Sequence, residues 1–240
     1  MEVAYISDVG KKRSNNEDSI LVDKEKRIFL LADGMGGHQA GEVASDIAVK
    51  EIYDYLRNKV DTMDGVTGTF ELLTAALNKA HDAIKEKANN NPNLKGMGTT
   101  LVGMFARNNK AYICHVGDSR AYLLREGTRQ LTRDQTLGDY LVEKKIMSRE
   151  EVPTQKWHTL TQAVGITEHI VPELNEVELK PGDIVLLCSD GLTDVLIDRE
   201  IDGIVQDYRD NLERATTSLV DAANNKGGKD NISVVLVKYE

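Results

Sequence analysis

Apolar positions along the chain alternate between strand-like and helix-like spacing. Near the N-terminus, short apolar or alternating runs predict strands over residues 1–8, 19–23 and 27–32. Two longer stretches, residues 41–59 and 69–89, carry apolar side chains three or four positions apart. That spacing places them on one face of a helix, so both stretches are predicted to be amphipathic helices.

Glycine-rich and asparagine-rich segments predict where these elements are joined. Residues 65–68 contain two glycines and predict a linker between the two helices. Beyond the second helix, strand-like runs are predicted at residues 100–106, 111–116, 119–125, 128–131, 171–179, 184–188 and 232–239. Because short turns join the first four of these strands, we expect an antiparallel meander there. A further helix is predicted to carry Leu212 and Leu219.

The regular spacing is lost between Asp134 and about His169. Helical pieces are predicted around Leu137 and from Ser148 onward, where acidic residues occupy a first turn. The sequence leaves two interpretations of this segment open. It is either a flap beside a functional site or an inert insertion at the surface.

Composition narrows the range of functions. The chain has 240 residues, of which 40% are hydrophobic and 29% charged, and we expect a single domain over residues 1–240. Its formal net charge is −9, so we expect no nucleic-acid partner and no anionic membrane partner, both of which favour a basic face. An acidic excess can also arise from carboxylates gathered to hold divalent cations.

The cysteines and the apolar runs indicate a cytoplasmic protein. Cys114 and Cys188 lie inside apolar segments, which predicts buried free thiols rather than a disulfide framework. No apolar run approaches the ~20 residues that cross a bilayer. The first residues lack the basic and then apolar order of a secretory signal.

Four aspartates share one sequence setting, in which a predicted strand edge has glycine beside or near it: Asp33, Asp118, Asp190 and Asp230. A single Asp-Gly corner is as well explained by a structural turn. Four of them without an equal set of lysines or arginines make a poor salt-bridge network but a good oxygen cage for Mg²⁺ or Mn²⁺. Two such ions about 3.5–4 Å apart can activate a water between them, and a phosphate ester suits that arrangement.

A polar run between the first two strands adds groups that suit a phosphate and a cation. Arg13 has the forked geometry that binds phosphate, and Glu17 and Asp18 supply further oxygen ligands. The alternative is a solvated hairpin loop with no function. The chain has no Gly-x-x-x-x-Gly-Lys-Ser/Thr loop, which disfavours nucleotide-driven phosphoryl transfer.

Six motifs in a fixed order extend from end to end of the chain. They are Arg13-x-x-Asn16-Glu17-Asp18, Ala32-Asp33-Gly34-Met35-Gly36-Gly37-His38, Gly98-Thr99-Thr100, His115-Val116-Gly117-Asp118-Ser119-Arg120, Ser189-Asp190-Gly191-Leu192-Thr193 and Asp230-Asn231. This ordered set resembles the metal-dependent protein phosphatases of the 2C type, in particular the compact bacterial serine/threonine phosphatases.

The resemblance implies an α+β fold, a four-layer α-β-β-α sandwich. Two antiparallel β-sheets would be flanked by helix pairs, with a flap over about residues 134–169. It also implies two Mn²⁺ or Mg²⁺ ions and a weaker third. Asp33 would bridge the two core ions, and the Gly34 carbonyl would bind one of them. Glu17 and Asp18 would hold the first ion, largely through water, and Asp190 and Asp230 would complete the shell of the second. Asp118, together with Asp190, would bind the third.

The resemblance further implies hydrolysis of phosphoserine and phosphothreonine in proteins by a metal-bridging hydroxide. Arg13 would clamp the phosphate, and His38 would be the general acid, a role that a metal-bound water could also fill. Phosphorylated proteins, among them a cognate serine/threonine kinase, would be the partners. The sequence does not determine the oligomeric state, and a monomer is the default expectation. Two alternatives are a catalytically silent phosphatase-like binding module and a two-metal nuclease. The intact aspartates disfavour the first alternative, and the acidic surface disfavours the second.

The flap departs from the pattern of the bacterial members. Gln135-Thr136 follows Asp134 where those members commonly carry His-Ser or His-Thr, and Trp157-His158 is also unusual. Since no expected metal ligand is lost, we expect catalysis to survive, whereas substrate preference, flap mobility and third-metal behaviour are open to change.

Three further residues have structural interpretations. His115 lies in a motif but is also explained as a buried strand residue, and His81 is expected to be a packing or surface residue. Asp194 either touches the metal shell or caps the next helix.

Overall fold

A computed structural model of the chain describes residues 1–36, 40–59 and 65–240. The helices are α1 (Ala40–Leu56), α2 (Gly65–Asn90), α3 (Leu137–Glu143), α4 (Thr154–Trp157), α5 (Asp190–Thr193), α6 (Asp198–Asp207) and α7 (Leu212–Asn225). The strands are β1 (Glu2–Asp8), β2 (Asp18–Asp23), β3 (Ile28–Met35), β4 (Gly98–Thr99), β5 (Leu101–Arg107), β6 (Lys110–Val116), β7 (Arg120–Leu124), β8 (Thr128–Gln130), β9 (Glu173–Glu178), β10 (Ile184–Cys188) and β11 (Ile232–Lys238).

The strands form two antiparallel sheets. One has the order β1-β11-β10-β7-β8, and the other has the order β2-β3-β5-β6-β9 with the short β4 paired to β3. The chain crosses between the sheets repeatedly, so residues distant in sequence become neighbours. Strand β11 near the C-terminus, for example, lies between β1 and β10.

Alternation within the strands divides the apolar residues among three buried layers. In β3, Ile28 and Leu30 pack against α1 and α2, whereas Phe29 and Leu31 face the other sheet. The same period of two operates in β10 and β11, whose outer residues pack against α6 and α7 and whose inner residues fill the space between the sheets. Helices therefore cover both outer faces of a sheet pair, and the predicted four-layer α-β-β-α sandwich is confirmed.

Several element boundaries were predicted wrongly. Residues 65–68 are not a linker, because α2 begins at Gly65. The predicted meander is divided at Gly117, where the chain leaves the sheet of β5 and β6 and enters that of β7 and β8. A turn, not a helix, follows Ser148. Helix α6 was not predicted, although Ile201 and Val205, four positions apart, are buried on one of its faces.

Two expectations about buried side chains are confirmed. Cys114 and Cys188 are free and buried. His81 is a packing residue, 4% exposed, and its Nδ1 accepts a hydrogen bond from the Gly165 N–H at 2.9 Å. His115 is fully buried in β6, and its Nδ1 lies 3.4 Å from a carboxylate oxygen of Glu173.

None of the described helices combines the length and apolar character needed to cross a bilayer.

Candidate active site

Asp33 lies within β3, which continues past it to Met35 rather than ending at residue 32. Its N–H donates to the Thr100 hydroxyl at 3.0 Å, and its carbonyl accepts from the Thr100 N–H and from the Thr99 hydroxyl, each at 2.8 Å. On the other side, Asp33 pairs in register with Asp18 of β2. Pairing on both sides holds the backbone of Asp33 in place, so the direction of its side chain is defined by the sheet.

A serine links the carboxylates of the two sheets. The Ser189 hydroxyl donates to Oδ2 of Asp18 at 2.8 Å and accepts from the Ser233 N–H at 2.9 Å. Ser189 immediately precedes Asp190, which begins the short helix α5. Asp18, from the β2 sheet, is therefore joined to the end of β10, from the other sheet, at the point where Asp190 enters the site.

Asp118 lies in the turn between β6 and β7, where the chain passes from one sheet to the other. Next to it, the hydroxyl of Ser119 lies 2.7 Å from that of Thr100. Gly117 is bound twice by Gln135: its N–H donates to the side-chain Oε1, and its carbonyl accepts from the Gln135 N–H, each at 2.8 Å. The residue that departs from the family pattern therefore ties the start of the flap to the turn that carries Asp118.

Asn231 organises the segment that contains Glu17. Its Oδ1 accepts from the Glu17 N–H at 2.9 Å, and its amide group donates to the Asn15 carbonyl at 2.9 Å. Just before it, Asp230 pairs with Arg13, whose guanidinium lies 2.6 Å from the carboxylate. Arg13 remains about half exposed, at 47% of its side-chain surface. It therefore combines contact with the carboxylate cluster and access to solvent.

The carboxylates and Gly34 line one cavity of about 610 Å³. Its lining includes Arg13, Glu17, Asp33, Gly34, Asp118, Asp190 and Asp230. Asp18 lies beneath this surface, 9% exposed. The other wall comes from the flap and includes His158, Thr159, Leu160 and Gln162. The segment from residue 134 to 169 thus borders the site.

The site destabilises ionised carboxylates. Burial, reinforced by repulsion from Asp18 and then from Asp190, raises the pKa of Asp33 well above the ordinary aspartate value. Burial and then the charge of Asp118 do the same to the pKa of Asp190. The pKa values of Asp18 and Asp118 both rise to about 6, again chiefly through burial. These shifts mean that several carboxylates are packed together with too little positive charge to balance them.

The donor set fits divalent cations that prefer oxygen ligands. Asp18 and Asp190 each present a buried Oδ1 that has no hydrogen-bond partner among the described residues. A bound cation would coordinate these oxygens and would also reduce the electrostatic repulsion between their carboxylates. Gly34 fits as well, because a Cβ there would lie 2.1 Å from the carbonyl oxygen of Gly41. Only glycine permits this approach of β3 to α1 beside the carboxylates.

Two sequence expectations concern residues next to this cluster. His38 lies outside the described residues, so its expected role as general acid stays a prediction. Asp194 does not cap the following helix: it is the C-cap of α5, and Ile197 is the N-cap of α6. The Asp194 carboxylate instead lies 3.4 Å from Nδ1 of His158 in the flap.

Sequence reasoning missed the polar residues that hold the carboxylates in place. Thr100, Ser119, Ser189 and Asn231 are all nearly inaccessible to solvent. The sequence offered one signal for them, since Thr100, Ser119, Ser189 and Asn231 stand within the ordered motifs. Their hydrogen-bond partners could not be read from the sequence, because each bond joins segments far apart in the chain.

Comparisons with known proteins agree with this geometry. Residues 10–236 match the sequence model of the family described as protein phosphatase 2C. The protein phosphatase PhpP of Streptococcus pneumoniae is 38% identical over 244 residues, covering 99% of this chain and 97% of its own length.

Solved structures show the same similarity. The serine/threonine phosphatase PstP/Ppp of Mycobacterium tuberculosis has a TM-score of 0.87 at 36% identity, with 100% of this chain and 98% of that chain covered. A structure of the PstP catalytic domain in complex with two manganese ions has a TM-score of 0.85 at 35% identity, covering 99% and 97% of the two chains. With the family model matching almost the whole chain and relatives above 30% identity covering it, the protein belongs to the protein phosphatase 2C family.

Proposed function

We propose that this protein is a Mn²⁺- or Mg²⁺-dependent phosphatase that removes phosphate from phosphoserine and phosphothreonine in proteins. One observation carries the proposal: carboxylates from both sheets line one open cavity with unpartnered buried oxygens, and Arg13 lies at its rim. Membership of the family and the two manganese ions of the PstP structure support the same activity.

The proposed ligand roles follow the arrangement of the carboxylates. Asp33 is proposed to bridge two ions, because it pairs in register with Asp18 and lines the same cavity as Asp118, Asp190 and Asp230. Asp190 and Asp230 would hold one of these ions, and the Gly34 carbonyl, Glu17 and Asp18 the other. Asp118 would serve, with Asp190, a third ion. Bound divalent ions supply an activated water and neutralise phosphate charge.

The protein's own residues would orient and admit the substrate. Arg13 would bind the phosphate through its fork of N–H donors, which matches phosphate oxygens better than a point charge does. Residues 158–162 of the flap border the cavity and would contact the polypeptide around the phosphorylated residue. A cognate serine/threonine kinase among the substrates, a monomeric state, a single domain over residues 1–240 and a cytoplasmic location stay predictions.

Hydrolysis of p-nitrophenyl phosphate and of a phosphothreonine peptide tests the proposed function. We expect turnover with Mn²⁺ and its loss in EDTA, because chelation removes the ions that the carboxylates are proposed to hold. The peptide should be dephosphorylated and DNA should remain intact. A folded protein that binds Mn²⁺ but turns over neither substrate would instead support the silent binding module.

Replacement of Arg13 by alanine is expected to raise KM for p-nitrophenyl phosphate roughly tenfold with a smaller change in kcat. A charge-assisted contact to phosphate is made in the ground state as well as in the transition state, and losing it costs about 1.5–3 kcal/mol. Steady-state kinetics in saturating Mn²⁺ would measure both constants.

Two further variants make this result specific to the Arg13 guanidinium. Lys12→Ala removes a neighbouring exposed charge and should leave KM unchanged. Arg13→Lys should recover only part of the lost affinity, because lysine cannot form two parallel hydrogen bonds. An unchanged KM in Arg13→Ala would contradict the phosphate clamp.

A further inference from the structure

His81 of α2 joins that helix to the end of the flap that borders the cavity. Its Nδ1 accepts a hydrogen bond from the Gly165 N–H at 2.9 Å. Residues on both sides of Gly165 line the cavity, namely Gln162, Ala163, Ile166 and Thr167. We call residues 162–167 the anchored wall, because α2 holds its backbone at this point.

The backbone at Gly165 is suited to close contact with α2. Gly165 has a φ of +91°, and a Cβ there would lie 2.2 Å from Cγ2 of Ile84. Ile84 and His81 are three positions apart and both buried, so they lie on the same face of the helix. Only glycine permits this conformation and this approach, which bring the N–H of residue 165 within reach of His81.

The surroundings of His81 keep its imidazole in the form that accepts. The side chain is 4% exposed, and burial, followed by the charge of Lys85, lowers its pKa, although Asp82 and the Glu168 carbonyl oppose this shift. A neutral imidazole has one accepting and one donating nitrogen. Since Nδ1 accepts from Gly165, the proton is assigned to Nε2.

Packing alone does not explain a histidine at this position. Nε2 is buried and has no hydrogen-bond partner among the described residues, which is unfavourable for a polar group. An apolar side chain would avoid that cost, as Leu73, Leu77 and Ile84 do along the buried face of the same helix. What histidine adds over such a side chain is the hydrogen bond to Gly165.

We propose that His81 is a positioning residue for the phosphorylated polypeptide, acting through its hydrogen bond to Gly165 to fix the anchored wall where the substrate chain crosses it. The proposal rests on the proposed function, because it assigns a substrate contact to the same cavity. His81 is not among the described residues that line the cavity, so it acts through Gly165 and not by touching the substrate.

The anchored wall is held from two sides. Val164 and Thr99 exchange two backbone hydrogen bonds, of 2.9 and 3.0 Å, and Thr99 pairs in register with Gly34. With His81 holding the next residue, Ile166 is presented to the cavity in a defined position. Ile166 is apolar and yet 46% exposed. A phosphopeptide bound through its phosphate would extend over this side chain, whereas p-nitrophenyl phosphate has no polypeptide to place there.

Steady-state kinetics in saturating Mn²⁺ test this role. His81→Leu removes the acceptor but keeps a buried side chain, and His81→Asn restores an acceptor, because asparagine Oδ1 can take the place of Nδ1. We expect His81→Leu to raise KM for a phosphothreonine peptide roughly three- to tenfold, as for the loss of one hydrogen bond, with little change in kcat. KM for p-nitrophenyl phosphate should not change, and His81→Asn should restore KM for the peptide.

Gly substitution elsewhere in α2 provides the matched control. Glu71→Gly weakens the same helix at an exposed position ten residues before His81, because glycine is a poor helix former. This variant should keep the wild-type KM for the peptide. A rise in Glu71→Gly equal to that in His81→Leu would show a general effect of helix stability and overturn the positioning role. So would an unchanged KM in His81→Leu, or a rise that His81→Asn does not reverse.

Two measurements without turnover test the anchor itself. Hydrogen–deuterium exchange in a fragment containing residues 162–167 should be faster in His81→Leu than in wild type and His81→Asn. In wild type labelled with ¹⁵N-histidine, the His81 resonances, identified by their loss in His81→Asn, should show the proton on Nε2. A proton on Nδ1 would overturn the anchor even if His81→Leu does not fold. Wild type that hydrolyses neither substrate would overturn the proposed function, and exchange would still show whether His81 holds the wall.

Discussion

Asp33→Asn is expected to reduce phosphatase turnover at least about a thousandfold while the protein stays folded. The change keeps the size of the side chain but removes the charge proposed to bridge two cations. A loss of that size corresponds to about 4 kcal/mol of transition-state stabilisation, as expected when the nucleophile and the phosphate both lose their metal. Initial rates with saturating Mn²⁺ would measure the effect, and circular dichroism would confirm the fold.

In EDTA, the same variant should be more stable than wild type, increasingly so as pH rises. The pKa of Asp33 is raised in the folded protein, chiefly by burial and then by neighbouring carboxylates, so the folded state must ionise it at a cost that the unfolded chain does not pay. Wild type therefore loses stability as pH rises from the ordinary aspartate pKa through the raised one, and the variant avoids this loss. Thermal unfolding in EDTA at pH 5 and pH 8 should show a larger gain in Tm at pH 8.

Asp183→Asn is the matched control, because this substitution is expected to lower the stability of the protein, whereas Asp33→Asn is expected to raise it. Asp183 precedes β10, at the end of the strand away from Asp190, and its carboxylate is 2.6 Å from Arg125. Burial opposes ionisation there, but hydrogen bonds from Arg125 and the Lys180 N–H outweigh it and lower the pKa of Asp183. The Asp183→Asn variant should lose stability at neutral pH and keep its turnover. Full activity in Asp33→Asn, or a lower Tm than wild type in EDTA at pH 8, would contradict the proposed arrangement.

Gly191→Ala is expected to destabilise the protein by about 2–3 kcal/mol, lowering Tm by about 5–10 °C. A Cβ at residue 191 would lie 2.0 Å from the carbonyl oxygen of Asn231, the residue immediately before β11. Relief of that clash must move Asp190 away from Asp230, since each of these aspartates adjoins one of the clashing residues. We therefore expect weaker Mn²⁺ binding in calorimetry as well as the lower Tm.

Gly203→Ala separates this steric effect from the general effect of replacing a glycine. Gly203 lies in α6, and a Cβ there would meet no atom within 4 Å. Alanine in a helix is favoured over glycine by up to about 1 kcal/mol, so this variant should be slightly more stable with unchanged Mn²⁺ affinity. Equal stability of the two alanine variants would show that the approach of α5 to β11 is looser than the structure indicates.

The sequence by itself determined the chemistry and the class of fold. Repeated aspartates beside glycine, with Arg13 upstream, were enough to predict a divalent-cation site that acts on phosphate. Continuous apolar runs at residues 28–32 and 184–188 marked buried strands, because a strand that is covered on both faces carries apolar side chains at every position. Such signals are local and need only a few neighbouring residues.

Tertiary structure alone decided how these residues meet. The division of the predicted meander at Gly117 depends on which strands pair, and pairing is set by contacts between distant segments. The Ser189–Asp18 and Thr100–Ser119 hydrogen bonds join residues 171 and 19 positions apart. His158 shows the same limit most clearly, since only the folded flap brings it within 3.4 Å of Asp194. The sequence alone determined the types of ligand, and the packing of the two sheets and the flap decided which of them lie together.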